Sequence, residues 1–275
     1  MKPILFELGP INIYGYGAMI GIGIIAAFLM AMKRSEKYKL NADNVFNIGV
    51  IALIGGVIGS KLLFFITEFE YIIENPKVML NFAEGFVVYG GIIGGIIAGF
   101  LYCKIKKLDF LAYFDLIIPS IALAQGFGRI GCFLTGCCYG RETHSWIGIT
   151  FHESLYGPNG VSLIPTQLIS SGLNFIHAFI LVMIARKKKN DGVVAACYLI
   201  FYSVGRFCVE IFRNDPRGSV GALSTSQFIS IFMFIIGVIM LIIVTKKKTL
   251  VKETIVVEEV SKEENIESID MTEEK

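Results

Sequence analysis

The residues able to do chemistry are few and oddly placed. Arg129, Arg141, Arg206, Glu210 and Arg213 lie in or beside long apolar stretches, and Asp115 stands inside one. Charge in hydrocarbon is expensive, so an ionisable group kept there is a functional candidate by default. A guanidinium is a planar fork of donors that grips a phosphate through two parallel hydrogen bonds. Arg206, Glu210 and Arg213 are spaced by four and then three residues, which puts them on one face of a helix. Two readings stay open. In one, the arginines snorkel at helix ends and Arg206 merely pairs with Glu210. In the other, they hold the phosphate of a phospholipid headgroup.

Other polar residues are weaker signals. Cys132, Cys137 and Cys138 have the spacing C-x4-C-C, without the paired C-x2-C of zinc sites and without a histidine at ligand spacing. They read as small packing residues, and neither metal nor cofactor is expected. His177, in mid-span, reads as an interhelical hydrogen-bond donor. Gly90-Gly91 and Gly94-Gly95 have small-xxx-small spacing, which predicts close helix contact.

The elements that carry these residues follow from composition. Of the 275 residues, 54% are hydrophobic and 17% charged, against about 25% charged in soluble domains. The expected fold is all-α: a polytopic membrane protein with seven transmembrane helices over residues 1–248. Residues 249–275, rich in Glu and Lys, are expected to form a disordered cytoplasmic tail. The spans are placed at 13–32, 45–66, 86–103, 110–127, 166–185, 192–212 and 226–244, each near the ~20 residues a ~30 Å core requires. No cleavable signal peptide is expected at the start.

Basic clusters follow the first, third, fifth and seventh spans: Lys33-Arg34, Lys104-Ile-Lys106-Lys107, Arg186-Lys187-Lys188-Lys189 and Lys246-Lys247-Lys248. Alternating crossings put all four on one side, and the positive-inside rule makes that side cytoplasmic. The N-terminus is then outside, and Tyr14, Tyr89, Arg129, Arg206, Glu210 and Arg213 belong to the outer half. Asp115 lies fourteen residues before Arg129, on nearly the same helical azimuth but about 21 Å deeper at ~1.5 Å per residue. Pro119 between them is expected to kink the helix. The polar groups are expected to converge on a cavity open to the outer leaflet.

Several motifs occur in order along the chain: Ile13-Tyr14-Gly15, Tyr89-Gly90-Gly91-Ile92-Ile93-Gly94-Gly95, Gly128-Arg129-Ile130-Gly131, Tyr139-Gly140-Arg141, Pro165-Thr166-Gln167-Leu168 and Arg206-x3-Glu210-x2-Arg213. Together they resemble the prolipoprotein diacylglyceryl transferase family across nearly the whole chain before the tail. The resemblance implies a bacterial cytoplasmic-membrane enzyme with seven spans. It would move the diacylglyceryl group of phosphatidylglycerol to the lipobox cysteine of a prolipoprotein signal peptide, releasing glycerol phosphate. The implied partners are those two substrates and membrane lipid, with no nucleic acid.

The resemblance also implies roles. Arg206, Arg129, Tyr89 and Glu210 would be catalytic, with Glu210 either holding Arg206 or accepting a proton. Arg129, Tyr14, Gly90, Gly91, Gly140, Arg141, Arg213, Gln167 and Asp115 would bind substrate. Tyr89 stands where the family has a histidine, and Cys132, Thr135 and Cys137 stand at two asparagines and a glutamate. A divergent lipid-binding relative with another acceptor, or a non-catalytic membrane protein, is the alternative.

Overall fold

A computed structural model describes residues 3–8, 11–75, 78, 85–216 and 218–246. Among the described residues, seven helices are long and apolar enough to cross a membrane. They are α1 (Gly15–Lys37), α2 (Ala42–Thr67), α4 (Val88–Ile105), α5 (Phe110–Thr135), α6 (Thr166–Lys187), α7 (Val193–Phe212) and α8 (Thr225–Lys246). A short helix, α3 (Phe69–Glu74), follows α2. Strands β1 (Ile4–Leu8) and β2 (Ile11–Tyr14) form an antiparallel hairpin before α1. The pairs β3 (Ile149–Thr150) with β4 (Ser162–Leu163), and β5 (Ser219–Val220) with β6 (Leu223–Ser224), brace two connections. The chain is a multi-pass helical membrane protein. Its tail from residue 249 lies outside the described residues.

The largest departure from the expected spans is α5, which runs eight residues past its expected end. It begins where the Asp109 carboxylate accepts the Leu111 and Ala112 N–H groups at 2.9 and 3.2 Å. It continues through Pro119 and stops only at Gly136, whose left-handed backbone (φ 77°) caps it. Two of the glycines in its second half, Gly126 and Gly131, are packing positions, where neighbours fill the space a side chain would take. A Cβ on Gly126 would strike the Phe175 ring, and one on Gly131 would strike Tyr16. At ~1.5 Å per residue α5 is about 39 Å long, more than the ~30 Å core needs. Arg129 and Cys132 are therefore helical residues.

Buried positions set the packing order. On one side of α5, Ile118 and Ala122 meet Ala178, Leu181 and Ala185 of α6 and Val194 and Tyr198 of α7. On another, Tyr113 and Leu116 meet Ala31 of α1, Val45 and Ile48 of α2, and Cys103 of α4. The α2–α4 contact is backbone against backbone. A Cβ on Gly90 would collide with the Gly59 carbonyl, and one on Gly91 would lie 2.5 Å from Ser60 Oγ. Outward faces carry exposed residues such as Ile25, Leu29, Ile54, Val57, Phe179 and Ile236, which suits contact with acyl chains.

The helix ends sort by charge. Arg34 Nη1 donates to Leu116 O at 2.7 Å, Lys188 reaches Asp115 at 2.9 Å, and Asn190 Nδ2 donates to Val244 O at 2.8 Å. These ties gather the basic ends of α1, α6 and α8 around the start of α5. The basic-end-inside orientation predicts the outcome of cysteine labelling in intact cells. Trp146→Cys, at a fully exposed position on the opposite end, should react with an impermeant maleimide. Lys106→Cys should react only after the membrane is opened, and the reverse pattern would invert the topology.

Candidate active site

The site is built on the last two turns of α7, with α5, α4 and α8 brought against it. Arg206 Nη1 pairs with Glu210 Oε2 at 2.7 Å, one helical turn on, and Arg206 Nη2 donates to Ser226 Oγ of α8 at 2.7 Å. Glu210 is buried, and its other oxygen, Oε1, accepts from Ser224 Oγ at 2.8 Å. Arg213 Nη1 lies 3.6 Å from Glu210 Oε2, while its Nε and Nη2 donate to Asp215 at 2.9 and 2.7 Å. One carboxylate thus fixes two guanidiniums. Both oxygens of Glu210 are therefore engaged, one by Arg206 and one by Ser224.

Arg129 enters from α5. It interacts electrostatically with Arg213 and Tyr202, and it makes no ion pair among the described residues. Tyr89, at the start of α4, interacts with Arg206, Glu210, Tyr202 and Ser226. Three guanidiniums therefore face two carboxylates. The surplus positive charge suits an anionic ligand.

Arg129 and Arg206 lie on the wall of a cavity of about 440 Å³ between α5, α6 and α7. Away from them the wall is mostly apolar, with Leu173, Ile176, Ile180 and Ile200. The wall is thus cationic at Arg129 and Arg206 and largely apolar elsewhere. His177 also lines the cavity, but its ring stacks on Tyr198 at 5.2 Å and its Nε2 has no hydrogen-bond partner among the described residues. The expected interhelical hydrogen bond is replaced there by ring packing.

Other expected residues fall elsewhere. Asp115 sits at the basic end, fully buried, apart from the cluster of Arg129, Arg206 and Arg213. It pairs with Lys188 at 2.9 Å and accepts the Gly192 and Ala195 N–H groups at 2.8 and 2.9 Å. It caps the start of α7, where an N-terminal dipole favours an anion. Burial disfavours the Lys188 charge, but hydrogen bonds to Asp191 and Asp115 outweigh this and raise its pKa. Gly90 and Gly91 are likewise packing residues, since α2 occupies the space above both. Gly140 is closed off by Ile164 and Thr166.

Gln167 is buried and donates to Cys137 O at 2.7 Å, holding the loop after α5. The Arg141 backbone ties that loop to Phe212 and Ile164 at 2.9 Å each, while its side chain is exposed. Tyr14 ends β2 and is half exposed, at the entry to α1.

Three features escaped sequence reasoning. Tyr202 lines the cavity one turn before Arg206, and that i−4 spacing on α7 was available as a signal. Tyr16 lies against Gly131 and interacts with Arg129, with nothing in the sequence to mark it. The third is the convergence of thiols. Cys132, Cys137 and Cys138 bring their Sγ atoms within 4.8 Å of one another, although C-x4-C-C reads as packing in one dimension.

The family profile described as prolipoprotein diacylglyceryl transferase matches residues 3–243. The chain belongs to that family. It is 52% identical over 238 residues to the phosphatidylglycerol–prolipoprotein diacylglyceryl transferase of Clostridium tetani, covering 86% of this chain and 96% of the relative. It is 48% identical over 242 residues to the second such transferase of Clostridium perfringens, covering 87% and 94%. Identity to the Clostridioides difficile enzyme is 34% over 248 residues, covering 90% and 97%. Coverage this complete takes in every helix of the site, from Tyr89 to Ser226.

The two ends of the family fold separate in a stability measurement. Asp115→Ala should destabilise the purified protein by about 3–5 kcal/mol, because Lys188 and two buried N–H groups lose their acceptor. Lys188→Ala should cost less, since the two N–H groups keep Asp115. Thermal unfolding in detergent reads the order. Equal losses would show that the carboxylate's caps contribute nothing.

Proposed function

We propose that the chain transfers the diacylglyceryl group of phosphatidylglycerol to the lipobox cysteine of prolipoproteins, at the outer face of the bacterial cytoplasmic membrane. One observation carries this reading. Arg129, without an ion pair among the described residues, and the clamped Arg206 both line the wall of a largely apolar cavity of about 440 Å³. A headgroup phosphate meets the arginines there, and the acyl chains follow the apolar wall toward the lipid-facing gaps between helices.

The reaction forms a bond from sulfur to the glyceryl carbon and breaks that carbon's bond to the phosphate oxygen. The electron pair leaves on glycerol phosphate, so a phosphodiester with one negative charge becomes a monoester approaching two. Guanidiniums already in place at that oxygen favour the transition state over the ground state. Glu210 and Ser226 hold the Arg206 fork, so little reorganisation is needed as charge builds. Tyr89 interacts with the same arginine and is suited to donate its phenol proton to a phosphate or glyceryl oxygen. The lipobox thiol loses its proton before or during attack.

Two substitutions test the assignment. Arg206→Ala should abolish transfer in vesicles while the protein remains inserted. Arg206→Lys should recover little, because an ammonium on a flexible stem does not reproduce a two-donor fork. A lysine variant with near-normal turnover would sink the clamp.

Tyr89→Phe should slow transfer by a factor of about 10–100, the value of one transition-state hydrogen bond at ~1.4 kcal/mol per tenfold. An unchanged rate would reduce Tyr89 to an interfacial aromatic.

A further inference from the structure

We propose that Cys132, Cys137 and Cys138 form a trithiolate site for zinc(II), with a fourth coordination position for the acceptor thiol. The three Sγ atoms lie within 4.8 Å of one another. A tetrahedral ion with Zn–S near 2.3 Å sets its sulfurs about 3.8 Å apart, so closing on the ion requires shifts of no more than about 1 Å. Three protein ligands and one open position are the stoichiometry of a catalytic zinc centre.

The backbone brings these thiols together at a cost. Cys138 adopts a left-handed conformation, φ 60°, which is unfavourable by roughly 1–2 kcal/mol for a residue with a Cβ. Gly136 makes the preceding left-handed turn, and Cys137 N donates back to Cys132 O at 3.1 Å. Cys138 O accepts from Thr166 Oγ1 at 2.8 Å and Cys137 O from Gln167 at 2.7 Å, so α6 enforces the turn. Thr135 Oγ1 stands 3.5 Å from Cys137 Sγ and 3.2 Å from the Gly131 and Cys132 carbonyls, so its hydroxyl shares the pocket of that sulfur. Strain at a cysteine, supported by two buried side chains, points to a use for its sulfur.

Charge favours the loaded form. Three thiolates around a divalent ion leave one net negative charge, and Arg129 and Arg213 are both within electrostatic reach of Cys138. Arg129 also interacts with Cys132 and lines the lipid cavity. It therefore joins the sulfur cluster to the place where phosphate is held.

The acceptor role rests on the proposed transfer reaction; the metal site itself does not. On loading, the three thiols release their protons to solvent and the ion replaces them. The lipobox thiol then displaces water from the fourth position, and its proton also leaves to solvent. The coordinated sulfur attacks the glyceryl carbon while the carbon–oxygen bond breaks toward phosphate. The product is a neutral thioether, a weaker ligand than thiolate, and it dissociates. This supplies a thiolate where a tyrosine, whose phenol has a reference pKa near 10, is a poor proton acceptor at neutral pH.

The test uses the full chain in detergent, reduced, incubated with zinc chloride and freed of excess ion. Elemental analysis should find stoichiometric zinc in the wild type and in a variant with Cys103→Ala, Cys197→Ala and Cys208→Ala combined. Cys132→Ala and Cys138→Ala should each lose it, with correct folding checked by their thermal transitions. Cobalt(II) in place of zinc should give thiolate charge-transfer absorption in the wild type and the Cys103, Cys197 and Cys208 variant, and in neither single variant. A lipobox peptide should perturb that spectrum, and its Cys→Ser analogue should not.

No retained zinc, zinc retained by both single variants, or a disulfide among the three cysteines each overturns the site. A cobalt spectrum blind to the lipobox peptide overturns the acceptor role. Arg206→Ala protein that holds zinc but transfers nothing shows that the two proposals fail or stand separately.

Discussion

A guanidinium in hydrocarbon must find an anion, and at one end of this bundle a single carboxylate answers for two of three. Glu210 is buried, pairs with Arg206 at 2.7 Å, stands 3.6 Å from Arg213 and accepts from Ser224. Without it, two cations would face each other at low dielectric, where their repulsion is several kcal/mol at about 4–6 Å. The position of Arg206 in the cavity wall, the approach of α8 through Ser226 and the turn after α7 through Arg213 and Asp215 all depend on that carboxylate. Arg129 is the cation left over. Its counter-charge has to come from elsewhere, and the cavity it lines is shaped for a molecule that carries one.

The same rule operates at the other end with the opposite result. Asp115 is as buried as Glu210, yet Lys188 and two N–H groups at the start of α7 satisfy it completely. Both oxygens of that carboxylate are engaged. α5 thus carries a closed electrostatic knot near its start and an open one near its finish. The knot near the start fixes α5 against α6 and α7, so Arg129 is presented to Arg206 by a helix anchored below it. The α2–α4 glycine contact serves the same end for Tyr89, since a side chain on Gly90 would push α4 away from α2.

Legibility in the sequence followed the range of the physics. Span number and the helical face shared by Arg206, Glu210 and Arg213 are local periodicities, and the structure reproduces both. The Gly90–Gly95 spacing announced a close helix contact, which α2 provides. The place of Asp115 was not legible, because its separation from Arg129 can be read in the sequence while its partner, Lys188, is seventy-three positions away. The end of α5 was misplaced because Gly126, Gly128 and Gly131 look like breakers. Only Phe175 and Tyr16, from other helices, show why two of them are needed for packing. Tyr89 and Ser226 reach Arg206 from helices whose order around α7 no local pattern encodes.

The thiol cluster shows how such a reading fails most sharply. Zinc motifs recognised by spacing place ligand pairs on tight turns, where two residues between cysteines suffice. Here the first sulfur is on the last turn of a helix and the other two are adjacent in a left-handed turn. Gly136 reverses the chain, and Cys138 accepts an unfavourable φ to complete the reversal. A chain that needed three small side chains there would have no reason to hold one of them in that conformation, when glycine would relieve it. The conformation is retained where it faces Arg129 and Arg213, and those two guanidiniums favour negative charge on sulfur. Excess cation at the end of α5 therefore faces two ways: Arg129 lines the cavity, and Arg129 and Arg213 are within electrostatic reach of the Cys138 sulfur. In the proposed transfer these are the places of the phosphate and of the attacking thiolate's zinc site.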